Sequence, residues 1–178
     1  LPQLDNPGHS KLEVKINTEA ASVPAEVVSK LIEKNKSLVI SNAKTEINLS
    51  PKTIKNMVAA DVDNIVISIK KVEKIGSPAE TVKGQKVVSD VFDYNVIVNN
   101  QKVKSFAESV EVKVKVNGAT IKDSRKAAAY YLNEKTNAWE YIGGKVDAEG
   151  NLVFRTNHFS KYAVIYNEKS FTDIKGMS

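Results

Sequence analysis

Few side chains in this sequence could do chemistry, and the strongest candidates lie together near its C-terminal end. The sequence has two histidines and no cysteine, which excludes disulfides, thiolate metal sites and a cysteine nucleophile. His9 lies in a segment with proline and glycine that is typical of a linker. His158 stands in the run Asn157-His158-Phe159-Ser160, two residues before a serine hydroxyl. Residues 158–160 are therefore the candidate site.

No other group of residues in the sequence forms a complete catalytic motif or metal-binding site. Asp61, Asp63 and Asn64 offer oxygen ligands, but a Ca²⁺ loop needs about six to eight of them, and a loop or helix-capping role is expected instead. The sequence has no glycine-rich phosphate loop, no nucleophile elbow and no carboxylate pair typical of a glycosidase. We therefore predict no metal, no cofactor and no enzymatic activity.

The charge pattern favours a solvated strand surface. The net charge is +5, and Arg125 and Arg155 are the only arginines among 26 basic residues. Nucleic-acid readers favour arginine, and here Lys113 and Lys115 alternate with valines, so we predict no nucleic-acid partner. A weak attraction to anionic wall polymers is compatible with this charge. No stretch approaches the ~20 apolar residues of a membrane span, so none is predicted.

Hydrophobic periodicity predicts an α+β fold, predominantly an antiparallel β-sandwich with two helices in the N-terminal third. Pro24 is expected to open the first helix at its first position, and Ser50 to cap the second. Alternating apolar residues predict strands around 12–16, 38–40, 46–49, 65–69, 92–98, 110–116, 127–132, 138–142, 152–156 and 162–166. Asn99-Asn100 and Asn117-Gly118 suit hairpin turns.

The domain organisation follows from this pattern. We predict a linker at 1–10, a helix-bearing half at 11–75, a seam at 76–86, an all-β half at 87–167, and a tail or the start of a further module at 168–178. The seam contains Pro78 and Gly84, which interrupt periodic structure.

The C-terminal tail resembles the opening of an S-layer homology module. In that family an aromatic residue, a Thr or Ser, an Asp, a branched residue and a Gly precede a His-Trp-Ala run, and matching residues stand at Phe171, Thr172, Asp173, Ile174 and Gly176. Met177 and Ser178 stand where His-Trp would follow. The preceding Thr156 to Tyr166 run resembles the last strand of a β-rich domain found upstream of such modules. The resemblance implies a non-catalytic structural spacer of a bacterial S-layer-type surface protein, extracellular, with downstream S-layer homology modules and cell-wall polymers as partners.

The last quarter also resembles the proteolysis motif of the autoproteolysis-inducing domain of adhesion receptors and polycystins. The matching residues are Tyr130, Tyr131, Trp139, Gly143 or Gly144, and the Asn157 to Val164 run. The resemblance implies an N-to-O acyl shift, with His158 as general base and Ser160 attacking the carbonyl of Phe159. This chemistry requires strain in the turn.

The alternative interpretation of the same turn is structural: His158 and Ser160 satisfy backbone groups while Phe159 packs in the core. The family's bracing cysteines have no counterpart here, so we expect the turn to stay intact.

A carbohydrate-binding accessory module is the remaining alternative. Trp139 and Tyr141 flank Glu140, near Tyr130 and Tyr131 across an expected hairpin, and exposed aromatic residues on one face would form a glycan site. The competing interpretation is sheet stabilisation by aromatic pairs, with Trp139 mostly buried.

Overall fold

The computed structural model describes residues 11–58, 64–72, 85–116 and 121–167. The predicted linker, most of the seam, the Asn117-Gly118 turn, Asp61 and Asp63, and the Phe171 to Gly176 motif lie outside these residues. The predictions made for them are unchanged by the structure.

Two helices lie in the N-terminal third, as predicted. Helix α1 spans Ala25–Glu33 and buries Val28 and Leu31. Pro24 is its N-cap, not its first helical residue, because its backbone is extended (φ −62°, ψ 153°). The Ala25 N–H is satisfied by Oδ1 of Asn64 at 2.9 Å, which gives that residue the expected capping role at long range.

Helix α2 spans Pro51–Met57 and starts as the sequence predicts. The Oγ of Ser50 accepts a hydrogen bond from the Thr53 N–H at 3.1 Å. A serine at this position satisfies one of the N–H groups that a helix start leaves unpaired, and proline at the next position lacks that N–H altogether.

The remaining described elements are strands. Their alternating burial matches the predicted pattern, most clearly in the strand Phe92–Val98, where every second side chain is buried. The strands are β1 (Lys11–Lys15), β2 (Ala20–Val23), β3 (Ser37–Ser41), β4 (Thr45–Leu49), β5 (Ile65–Lys71), β6 (Gln85–Val87), β7 (Phe92–Val98), β8 (Gln101–Lys102), β9 (Val110–Lys115), β10 (Ala127–Asn133), β11 (Ala138–Gly143), β12 (Lys145–Val146), β13 (Asn151–Thr156) and β14 (Lys161–Asn167).

Hydrogen bonding joins these strands into two sheets. One has the order β1-β3-β4-β9-β13-β12, and the other has the order β11-β10-β14-β7-β5-β2, with β6 on β14 and β8 on β7. The β1–β3 pair is parallel, and β3–β4, β2–β5, β10–β11 and β10–β14 are antiparallel. The predicted fold class, an α+β β-sandwich dominated by antiparallel strands with two N-terminal helices, is confirmed.

The Asn99-Asn100 turn joins β7 to β8 as predicted. Both asparagines have positive φ, 55° and 61°, and Val98 pairs with Gln101 across the turn. Two consecutive left-handed residues are the signature of a tight two-residue hairpin turn, and asparagine tolerates this conformation better than other residues with a Cβ.

The chain folds into two compact units, each made of three separated segments. The first comprises Leu1–Lys70, Tyr94–Val112 and Arg155–Phe159, and the second comprises Lys71–Asp93, Lys113–Phe154 and Ser160–Ser178. The units thus divide the chain differently from the two predicted halves. In the first unit, the fully buried Tyr94 places its hydroxyl 2.7 Å from Oγ1 of Thr45, so this core contains one satisfied polar pair.

Candidate functional site

The turn that follows β13 contains the candidate residues His158 and Phe159, and a threonine organises it. The side chain of Thr156 is buried, 5% exposed, and its hydroxyl donates to the His158 carbonyl at 3.0 Å. The same oxygen accepts from the His158 N–H at 3.4 Å. The hydroxyl thus closes a local side-chain-to-backbone turn around His158. Sequence reasoning missed Thr156, although threonine two residues before a turn is a recognisable signal.

A segment distant in sequence holds the same turn. The Phe106 N–H donates to the Asn157 carbonyl at 2.7 Å. The ring of Phe106, itself buried, packs edge-on against Phe159 with centroids 5.0 Å apart, and the Tyr94 ring lies 5.6 Å from Phe159. Phe159 is half-buried against these core aromatics, which agrees with the structural role predicted for it.

Arg155 ties the end of β13 to the segment next to Phe106. Its Nε donates to Oγ of Ser109 at 2.8 Å, and its Nη2 donates to the Ser109 carbonyl at 3.0 Å. Its Nη1 also lies 3.6 Å from a carboxylate oxygen of Glu111. The guanidinium fork therefore anchors one end of the turn, while Phe106 anchors the other. The sequence carries no local signal for this pairing, because the partners are more than 40 residues apart.

The acyl shift implied by the resemblance requires a strained backbone, so the backbone angles of the turn at residues 156–160 bear on this chemistry. None of residues 156–160 has a positive φ. The turn is hydrogen-bonded through Thr156 and Phe106 and packed through Phe159. Whether the peptide bond between Phe159 and Ser160 reacts stays a prediction, tested below by mass measurement.

Strand β14, which begins directly after Ser160, is embedded in the second unit. It pairs with β10 along Tyr162 to Tyr166, and with β7 and β6 on its other edge. Residues 162–166 are all 7% exposed or less, so side chains on both faces of the strand are covered. Ser89 adds a further contact, since its Oγ accepts from the Val164 N–H at 2.8 Å. A chain cut before Ser160 would therefore leave this strand in place.

The hairpin of β10 and β11 contains the aromatic candidates. Trp139 lies opposite Leu132, and Tyr141 lies opposite Tyr130, with a register shift between Ala129 and Tyr130. Tyr141 is 60% exposed. Trp139 is partly exposed, with most of its surface covered, which agrees with the prediction that it is mostly buried. This holds although β11 is an outer strand of its sheet, with no strand on its far edge in the part of the chain described.

Two groups on and beside this hairpin, Tyr130 and Lys161, have pKa values above their ordinary ones. Burial, with the neighbouring Tyr141 second, raises the pKa of Tyr130 above its ordinary value of 10.0. On β14, a hydrogen bond with Glu134, with further help from the charge of Asp93, raises the pKa of Lys161 above 10.5. Each group therefore holds its proton more tightly in the folded chain than in the unfolded chain.

We expect the folded state to lose stability as the pH rises above 10. Groups with a raised pKa stabilise the fold fully below their unfolded pKa, and this contribution disappears as the pH passes through the folded value. Urea unfolding followed by circular dichroism at about pH 9 and about pH 11 would measure the loss. The control, Tyr130→Phe, should show a smaller decline. An equal decline in the variant would contradict the contribution of Tyr130.

The described residues offer no candidate metal centre and no membrane-spanning helix. Within them, no group of three or more His, Asp or Glu side chains is placed to hold an ion. Neither described helix has the length and apolar character needed to cross a membrane.

Comparison with known proteins gives a family match over most of this β-rich chain. The chain belongs to the family described as GPS, GAIN subdomain B, whose model matches residues 12–170. The predicted resemblance to the proteolysis motif is thus confirmed at the level of the family.

Two curated relatives match shorter parts of the chain. An amylopullulanase of Thermoanaerobacterium thermosulfurigenes is 49% identical over 72 residues, which is 40% of this chain and 4% of that protein. A trifunctional nucleotide phosphoesterase protein of Bacillus subtilis is 32% identical over 79 residues, 44% of this chain and 5% of that protein. The matched segments are therefore small parts of much longer proteins.

Proposed function

We propose that this chain is a non-catalytic structural spacer domain of a bacterial S-layer-type surface protein, next to its cell-wall anchoring modules. One observation carries the proposal. The chain matches two bacterial proteins whose names state different activities, an amylopullulanase and a nucleotide phosphoesterase, and it spans only 4–5% of each. Matches this short, to proteins with unrelated reactions, are best explained by accessory parts that perform neither reaction.

The C-terminal motif supports the position of the domain. Strand β14 ends at Asn167, and Phe171 to Gly176, the run similar to an S-layer homology opening, follows within a few residues. Such modules would hold the protein to cell-wall polymers, and this domain would separate them from the parts upstream. The net charge of +5 would add a weak, salt-dependent attraction to anionic wall polymers.

Wall retention by the chain alone tests the proposal. The purified chain would be mixed with isolated bacterial cell walls and washed at low and at moderate salt. A spacer is expected to show weak retention that moderate salt removes, because screening weakens interactions between exposed charges. An unrelated domain of similar size and charge is the control. Retention at full strength after the salt wash would show that the domain binds walls in its own right and would overturn the proposal.

Self-cleavage between Phe159 and Ser160 is the second candidate, and the family match favours it. His158 and Ser160 would then have the roles of base and nucleophile. The absence of cysteines and the hydrogen-bonded turn favour an intact chain instead. The mass measurement described in the Discussion separates the two.

A further inference from the structure

The outer face of the β10–β11 hairpin presents an aromatic ring to water. Within the described residues, Val87 and Tyr141 are the large hydrophobic side chains classed as exposed, at 38% and 60%. A ring that is exposed to this degree contributes little to a hydrophobic core, so core packing does not explain the tyrosine at position 141.

Two neighbours fix the orientation of the Tyr141 ring. Gly143 follows it on the same face, with φ +117°, and a Cβ built there would lie 3.6 Å from the Tyr141 hydroxyl oxygen and 3.8–3.9 Å from ring carbons. The ring therefore extends along the strand, over the space that glycine leaves. Tyr130 meets it edge-on, with centroids 5.5 Å apart and an interplanar angle of 82°. A T-shaped contact engages at most one face of the Tyr141 ring and supports it from that side.

Trp139 extends this aromatic surface. It stands two residues before Tyr141 on β11, and residues at this spacing point to the same face of a strand, about 7 Å apart. Their cross-strand neighbours, Leu132 and Tyr130, share that face. Trp139 is mostly but not fully buried, so part of its indole is accessible near the exposed Tyr141 ring.

A polar pair borders the aromatic surface at the Trp139 end. Ala163 of β14 lies opposite Tyr130, so Lys161, two residues earlier, points to the same face as Trp139 and Tyr141. Its ammonium group binds the Glu134 carboxylate in the hairpin loop. The two side chains remain 30% and 67% exposed, so each keeps hydrogen-bonding capacity toward solvent.

We propose that Tyr141 and Trp139 form a stacking site for a neutral polysaccharide. A pyranose ring has an apolar C–H face that packs on an aromatic ring and hydroxyl groups around its rim. The exposed, oriented Tyr141 ring, with a second aromatic residue two positions away on the same strand, can pack on the apolar face of the sugar. The Lys161–Glu134 pair offers a donor and an acceptor for the hydroxyl groups. This activity goes beyond the spacer role and does not require it.

Affinity electrophoresis of the full chain in native gels tests the site. The gels would contain soluble starch, mixed-linkage β-glucan or xylan, with dextran sulfate as a probe for retention by charge alone. Wild type should be retarded by at least one of the neutral polymers. Tyr141→Ala should weaken that binding about tenfold, by analogy with the loss of one aromatic stacking partner for a nucleobase. Trp139→Ala should weaken it as well, and Val87→Ala is the matched control at an exposed apolar residue of another strand.

Thermal unfolding of each variant shows whether a loss of polysaccharide binding is due to a loss of folding. Tyr141→Ala should keep the wild-type melting temperature, because the replaced ring is mostly exposed. No retardation of wild type by any neutral polymer would overturn the proposal, as would equal retardation of wild type and Tyr141→Ala. Concentration-dependent self-association that Tyr141→Ala abolishes, without binding to any polymer, would instead assign the face to a second copy of the chain.

Discussion

Replacing Tyr162 by alanine is expected to lower the free energy of unfolding by about 3–5 kcal/mol, the largest single-residue effect that we predict. The side chain is 1% exposed, and its ring packs 5.2 Å from Phe154 and 6.2 Å from Tyr131, measured between centroids. Truncation would leave a cavity beneath the centre of a sheet, and the surrounding strands cannot close it without losing their register. Equilibrium urea unfolding, monitored by circular dichroism, would give the change.

The matched control is Tyr141→Ala, a tyrosine of the same unit that is 60% exposed. Its cost should stay below about 1 kcal/mol, because little apolar surface leaves the core. Equal decreases in the free energy of unfolding of the two variants would contradict the buried packing described for Tyr162.

The purified chain is expected to give one species at the full mass of 19.5 kDa under denaturing conditions. Denaturation is essential to this measurement, because β14 pairs along both edges and would keep a severed Ser160 to Ser178 segment in its sheet. Native chromatography would therefore miss a cut. Denaturing mass spectrometry reads the covalent state directly.

Two variants distinguish a self-catalysed cut from contaminating proteolysis. If two species dividing between Phe159 and Ser160 appear, and Ser160→Ala abolishes them while Thr136→Ala in the exposed hairpin loop does not, the self-cleaving interpretation replaces the structural one. His158 and Ser160 would then be catalytic residues. A cut that persists in Ser160→Ala would point to an external protease.

Periodicity alone predicts most of the strands and both helices, because their apolar residues alternate or recur at clear intervals. The capping role of Ser50 and the burial along β7 are examples of such local signals. Strand β2 was missed, since Ala-Ala-Ser-Val carries no alternation and is a strand through its pairing with β5. β6, β8 and β12 were missed for a similar reason: each has two or three residues, too few to establish a period.

The candidate site was only partly predictable. The sequence singled out His158 to Ser160 and the aromatic pair at 139 and 141, which are local patterns. It could not reveal that Phe106 and Ser109 hold the turn, because such contacts depend on how distant segments meet. Nor could it give the 60% exposure of Tyr141, since an outer strand and an inner strand have the same alternation. Exposure is set by the order of strands in the sheet.

The two-sided pairing of β14 has a mechanical consequence. A pull on the C-terminal end of the chain acts along this strand, whereas its ladder bonds to β10, β7 and β6 run across it. Force in this direction loads all the bonds at once in shear, so they cannot open one after another as in an unzipping hairpin. The second unit would therefore resist a pull along β14 more strongly than an unzipping hairpin does, as the proposed spacer role would require.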